Sequence, residues 1–339
     1  MVEHLSSNSR MIVTRTPLRV SFVGGGTDLA AFYEHEGGAV LSTTIKRYVY
    51  VTVKRHSELF FEPIRVNYSK SEQVERIDEL QNHIARECLR FLEIEPPIYI
   101  STVGDVPAST GLGGSSSFAV GLLNALHAYR GERVSAGQLA EEASHVEIEV
   151  LGEPIGKQDQ YAAAYGGLNL FRFKPGGGVS VEHLRAKNGG MKDFFDSMLM
   201  FWTGHQRDAS GILHEQKKNT AGELERLRQM RDQARNLHAM LCDGSIDVRD
   251  FGRVLDEGWR LKRGLASSIT TGPIDVWYDA AVTAGAYGGK LCGAGGGGFL
   301  LFVAPPERHA AVRLALEDLT EMTVEHESHG SQVVLPFHS

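Results

Sequence analysis

The sequence predicts an α+β fold in two lobes. A length of 339 residues allows two domains at about 150 residues each. Strand-like and helix-like segments mix without a strict βα repeat, which argues against a doubly wound sheet. The stretch A-K-N-G-G, running from Lys187 to Met191 at its edges, interrupts the pattern, as a linker would. The domains are therefore expected at 11–188 and 189–339.

Met11 to Val23 reads as a strand, and Ile45 to Lys54 as another, with Ile45, Val49, Val51 and Val53 near period two. A third candidate strand is Leu59 to Tyr68. Ile77, Leu80, Ile84, Cys88 and Phe91 recur at helical spacing, and the helix must stop before Pro96 and Pro97. Ile98 to Val103 is a strand. It leads into the glycine and serine loop Ser109 to Ser117 and then the apolar run Phe118 to Tyr129, so the loop should form a helix N-terminus. Ser135 with Gln138 reads as a capping box for a helix to about Leu151. Strands at 168–173 and 179–183 close the first lobe. The second opens with the strand Met198 to Trp202 and is mostly helical from Ala209 to Gly264. Glycines 295–298 lead into the strand Phe299 to Val303, followed by a helix from Pro306 to Leu319 and a last strand at Gln332 to Leu335.

The charge balance, 35 Lys plus Arg against 42 Asp plus Glu, excludes a chain built to bind nucleic acid or an anionic membrane surface, because phosphate affinity needs clustered cations. Three widely spaced cysteines, Cys88, Cys242 and Cys292, suggest neither a disulfide framework nor a zinc site. No apolar run approaches the roughly 18 residues of a membrane span. The polar start M-V-E-H-L-S-S-N-S-R does not resemble a signal peptide. A cytoplasmic protein is expected, and a homodimer is compatible with the sequence.

Several signatures are decoys. Gly293, Gly295 and Gly298 match G-x-G-x-x-G but precede a strand where a dinucleotide fold needs a helix. Asp250-Phe251-Gly252 lacks the rest of the protein-kinase set, and Gly113 to Ser117 fails the nucleophile-elbow pattern at its last position. His326 and His329 have no third ligand close in sequence.

What stands out in a chain of 38 glycines is their clustering, above all in three segments: P-L-R-V-S-F-V-G-G-G-T-D at 17–28, P-A-S-T-G-L-G-G-S-S-S at 107–117, and K-L-C-G-A-G-G-G-G-F at 290–299. Free N–H groups at a helix start, with glycines that admit a ligand, make an anion site without lysine. One such loop alone could be a connector, and its serines could merely cap the helix. Three together are hard to explain that way.

The three segments resemble the signature motifs of the GHMP kinases, the superfamily of galactokinase, homoserine kinase, mevalonate kinase and phosphomevalonate kinase. The resemblance runs from Met11 to the C-terminus. G-G-G-T-D, G-K-Q-D-Q-Y at 156–161 and T-G-H-Q-R-D-A-S at 203–210 most resemble the sugar kinases that act on D-glycero-D-manno-heptose 7-phosphate. The fold so implied pairs a ribosomal protein S5-like N-terminal domain with a ferredoxin-like C-terminal domain around a cleft. The activity implied is ATP-dependent phosphorylation of the sugar's anomeric hydroxyl, within the synthesis of nucleotide-activated heptose for surface polysaccharide. A kinase of unphosphorylated fucose or galactose, and a non-catalytic sensor, are the alternatives.

By the same resemblance, Pro107, Thr110, Gly111, Leu112, Gly113, Gly114, Ser115 and Ser116 would hold the ATP phosphates. Gly114 stands where many relatives carry serine. Glu147 and Ser115 would bind magnesium (Mg2+), with Glu149 as the alternative, since two residues along a helix turn about 200° and only one can face a cleft. Asp159 would face the acceptor hydroxyl as base or orienting group, and Arg19 would stabilise charge during transfer. Gly24, Gly25, Gly26, Thr27 and Asp28 would hold the sugar, Lys157 and Arg207 the sugar's own phosphate, and Gly295 and Gly296 would let the substrate approach.

Overall fold

The computed structural model describes residues 11–184, 191–206 and 210–336. Its strands are β1 (Met11–Val23), β2 (Gly38–Arg55), β3 (Ile64–Asn67), β4 (Ser71–Val74), β5 (Ile98–Gly104), β6 (Leu168–Phe173), β7 (Val179–His183), β8 (Met198–Trp202), β9 (Gly288–Leu291), β10 (Phe299–Val303), β11 (Thr320–Met322), β12 (His326–Glu327) and β13 (Gln332–Pro336). The helices are α1 (Ala30–Glu36), α2 (His83–Phe91), α3 (Gly114–Tyr129), α4 (Ala136–Ser144), α5 (Gln158–Tyr165), α6 (Met191–Asp196), α7 (Ser210–Asn219), α8 (Leu224–Asp243), α9 (Val248–Arg263), α10 (Gly272–Thr283) and α11 (His309–Ala315). No described helix is long and apolar enough to cross a membrane.

The expected α+β class is the one observed. A nine-stranded sheet is organised around β2, whose first half pairs with β6 and second half with β5 while its length runs antiparallel to β1. The second sheet has the order β11-β8-β10-β9, all antiparallel. With the helices between β8 and β9 and α11 before β11, it follows the β-α-β-β-α-β plan of ferredoxin-like folds. The chain then returns: β12 pairs with β2 and β13 with β1. Residues 326–336 therefore hydrogen-bond into the first sheet and depart from the division expected at 188/189.

Most element positions agree with the pattern, and the differences have local causes. The third strand shrinks to β3 because Leu59 and Phe61 project into solvent. The helix expected over 77–91 is broken into a 3₁₀ turn at 77–79 and α2, whose start is fixed where the Asn82 side chain accepts from Ala85 N. Beyond Ser144 the helix after Ser135 widens into a π turn, His145–Val150. The helix placed at 306–319 is a 3₁₀ turn followed by α11. Elements without apolar periodicity, among them α1, α5 and α10, escape the sequence pattern.

Helix α3 is buried almost all round, as its unbroken apolar run requires. It lies close on β1 and β2 at Gly121, whose carbonyl accepts from Thr14 Oγ1 at 2.8 Å. A Cβ at Gly121 would sit 2.6 Å from Thr16 Oγ1. Gly121→Ala gains about 1 kcal/mol of helix propensity, but overpacking against a fixed strand costs about 1–3 kcal/mol. The expected outcome is a net loss of stability, measured by denaturant unfolding.

Candidate active site

All three glycine segments meet at one cleft of about 590 Å³, lined by residues of both lobes. On its floor, Arg19 of β1 donates from Nε and Nη2 to the two carboxylate oxygens of Asp159, each at 2.7 Å, and from Nη1 to the Gly111 carbonyl at 2.6 Å. Asp159 lies in the first turn of α5. The start of that helix is tied to the first glycine segment through Asp28, whose Oδ1 accepts from Gly26 N at 2.8 Å and whose Oδ2 accepts from Gln158 N at 3.3 Å. Burial raises the Asp28 pKa against these hydrogen bonds.

Helix α3 begins at Gly114 behind a left-handed Gly113 with φ 76°, a conformation that favours glycine. It therefore starts inside the segment expected to be loop. No side chain caps it, so the first-turn N–H groups remain available to an anion. The third segment packs directly behind. A Cβ on Gly111 would lie 2.5 Å from the Cys292 carbonyl oxygen, one on Gly293 2.3 Å from Gly111 Cα, and one on Gly298 2.4 Å from the Thr110 carbonyl oxygen. Each cluster is glycine because the other lies against it. Gly114 differs, since a Cβ there would meet nothing within 4 Å, and a serine side chain would fit.

Glu147, in the π turn, is buried in the cleft wall and accepts from Gln160 Nε2 at 2.6 Å. Burial pushes its pKa up to about 7, against the hydroxyls of Ser116 and Ser115 and the Gln160 amide, while nearby Asp159 adds to the rise. Glu149 instead points outward and pairs with His145 at 2.7 Å, so Glu147 alone of the two faces the cleft. Lys262 and Lys290, both buried, line the cleft as well. The opposite end is apolar, with Tyr68, Ile84, Val106 and Phe118 in its wall.

The structure thus brings together Arg19, Asp159, Gly25, Gly26, Asp28, Pro107, Thr110, Gly111, Gly113, Gly114, Ser115 and Glu147. Other expected residues stand elsewhere. Lys157 turns away from the cleft to Glu141 at 3.3 Å and the Gly177 carbonyl at 3.0 Å. Gly295 and Gly296 pack on Ile269, where Gly296 N donates to Ile269 O at 2.8 Å. Thr27 anchors Gly24 and Ala39 through its hydroxyl, while Gly24, Leu112 and Ser116 lie behind the lining. Arg207 lies outside the described residues. Sequence reasoning missed Lys262, Lys290, Gln158, Gln216 and the apolar end. Lys262 carried a signal, since it continues the buried stripe Phe251, Leu255, Trp259 of α9.

A cleft with an uncapped helix start, a glycine-framed loop and an arginine-held aspartate has the kind of frame a phosphotransferase needs. Comparison with known proteins agrees: the description "GHMP kinases N terminal domain" matches residues 78–167 and "GHMP kinases C terminal" matches residues 230–319. The chain belongs to the GHMP kinase family, a family of ATP-dependent kinases. It is 31% identical over 311 residues, covering 88% of this chain and 91% of the relative, to the D-glycero-alpha-D-manno-heptose 7-phosphate kinase of Campylobacter jejuni. A solved D-glycero-D-manno-heptose 1-phosphate kinase from Bacteroides thetaiotaomicron superposes with TM-score 0.78 at 27% identity, covering 96% of this chain and 99% of that one. Galactokinase from Lactococcus lactis shares the fold, with TM-score 0.73 at 14% identity over 97% of both chains.

Two outcomes are expected. Gly111→Ala lowers the melting temperature, whereas Gly114→Ala leaves it unchanged or raises it, because only the first introduces a clash and a strained φ. In metal-free protein the folded chain holds the Glu147 proton more tightly than the unfolded chain, so the wild type loses stability as pH rises from 4.5 to about 7. Glu147→Gln, uncharged throughout, gains little over the wild type at the acidic end of that window. Its advantage is complete above it, and thermal unfolding across pH reads the difference.

Proposed function

We propose that this sugar kinase phosphorylates the anomeric hydroxyl of D-glycero-D-manno-heptose 7-phosphate, giving the 1,7-bisphosphate for activated-heptose synthesis. The observation that carries the reading is the Arg19–Asp159 pair, its guanidinium buried, set in one cleft with the α3 N-terminus and Glu147. The choice of sugar rests on the similarity to the Campylobacter jejuni enzyme.

In this reading the α3 N-terminus binds the nucleotide's phosphates, and the apolar end around Tyr68 and Phe118 takes its base. The donor set fits magnesium. Glu147 is a buried carboxylate whose hydrogen-bond partners are all neutral, and Ser115 adds a hydroxyl in the same wall. Hard oxygen ligands are what this cation prefers. Among the described residues no three His, Cys, Asp or Glu converge on a metal geometry, so phosphate oxygens and water would complete the shell. Bound there, the metal would neutralise charge on the phosphates.

Asp159 receives the acceptor's hydroxyl. Arg19 fixes both oxygens of that carboxylate, so each presents a remaining lone pair in a set direction. As the acceptor oxygen bonds to the γ-phosphorus and the bond to the ADP oxygen breaks, the hydroxyl proton passes to Asp159. Arg19, within reach of the same centre, offsets charge on the phosphoryl oxygens.

A positioned base contributes about 10² to 10⁴ in rate. Asp159→Asn is expected to lower kcat in that range with the KM for ATP little changed. The check is steady-state kinetics over a panel of heptose 7-phosphate, the free heptose, fucose, galactose and mannose. Turnover of fucose or galactose above that of heptose 7-phosphate overturns the substrate assignment. A change of about twofold in Asp159→Asn overturns the base assignment.

A further inference from the structure

The cleft contains two ammonium groups that have no acid partner among the described residues. Lys262 of α9 and Lys290 of β9 are 8% and 5% exposed. Lys262 Nζ donates to the Gly293 carbonyl, and Lys290 Nζ donates to the carbonyls of Ser21 and Phe22 at 2.6 and 2.8 Å. Among the described residues neither forms an ion pair. The nearby acids are otherwise engaged, Asp159 with both oxygens on Arg19 and Asp28 on two backbone N–H groups. An ammonium has three donors, so each lysine retains capacity beyond its carbonyls. Burial pulls Lys262 down to about 8, aided by Arg19, and Lys290 down to about 7, aided by Lys262. Cations crowded in this way are unfavourable until an anion joins them.

We propose that Lys262 and Lys290 form an anion subsite, contributed by the second lobe, that binds a phosphate group beside Asp28 and Asp159. Its place in catalysis rests on the kinase reading above. With the acceptor's phosphate as ligand it would take the role expected of Lys157, whose ammonium the structure spends on Glu141 and Gly177. The phosphate has two candidate sources, the acceptor's own phosphate and the phosphoryl group in transit. Lys262, with one carbonyl partner against two for Lys290, is the stronger donor to it.

The test compares wild type with Lys262→Met and Lys262→Arg. Melting temperature is measured with and without inorganic phosphate, in the presence of magnesium and ADP to fill the nucleotide loop. Kinetics are measured with heptose 7-phosphate and with the free heptose. Removing an uncompensated buried charge should leave the phosphate-free melting temperature of Lys262→Met unchanged or higher, while the phosphate-induced rise is lost and Lys262→Arg retains it. The kcat/KM should fall about ten- to a hundredfold, the range of one charge-assisted hydrogen bond. Loss confined to heptose 7-phosphate identifies the acceptor's phosphate, and equal loss with both acceptors identifies the group in transit. Either supports the subsite. A lower phosphate-free melting temperature with the phosphate shift and kcat/KM retained overturns it, and leaves Lys262 a structural tie. Where Lys262→Met does not fold, Lys262→Gln serves the same comparison. If wild type phosphorylates neither sugar but keeps a Lys262-dependent phosphate shift, the acceptor assignment falls and the subsite stands.

Discussion

The Arg19–Asp159 ion pair is the contact on which the site's geometry depends. It joins three pieces of chain remote in sequence: β1 through Arg19, α5 through Asp159, and the second glycine segment through Gly111. With side chains 6% and 23% exposed, the pair gives up hydration that its Coulomb attraction only partly returns, so it is a weak source of net stability. Its geometry, two parallel N–H···O bonds plus a third to a carbonyl, instead fixes orientation. Removing the carboxylate would leave the buried Arg19 charge without its partner, at a cost of about 3–5 kcal/mol. A pair of this kind positions an acid for chemistry more than it holds a fold together.

Charge in the rest of the cleft is left incomplete in a specific way. Among the described residues Glu147 is a buried acid that pairs with no cation, and Lys262 and Lys290 are buried amines that pair with no acid. If these groups served only the fold they could have been paired with each other or replaced by apolar side chains. On the proposed function, groups held apart in this way would favour a ligand that carries both signs, such as a metal-bound polyphosphate together with a phosphorylated acceptor. Binding energy is then realised where charge develops, which is the condition for catalysis.

Much of this was legible in the sequence. Strands β1, β6, β7, β8 and β10 fall where the apolar pattern places them, and the three glycine segments announce the cleft because close backbone approach excludes a Cβ. Legibility fails where tertiary contact decides. Gly295 and Gly293 are indistinguishable as letters, yet one packs on Ile269 and the other on Gly111. Lys157 lies close to Asp159 in sequence, but the Glu141 carboxylate captures it. Lys290 opens the third segment, and nothing local indicates that its ammonium reaches β1. Short elements such as β9 and β12 exist because a sheet edge receives them, so no periodicity of their own could reveal them.

The distribution of positive charge between the lobes has a mechanical consequence. In phosphate loops that carry their own lysine, one segment supplies both the N–H cradle and the cation. Here the N–H groups come from α3 of the first lobe and the ammonium groups from α9 and β9 of the second. The two are joined by the glycine contact between Gly111 and Gly293 and by Lys290 on Ser21 and Phe22. Phosphate groups bridging the α3 N-terminus and Lys262 would pull on both lobes at once, so ligand occupancy and lobe packing are thermodynamically linked. The glycines at that seam allow the lobes to meet closely enough for one set of phosphates to satisfy both, and a side chain at either position would separate the cradle from its cations.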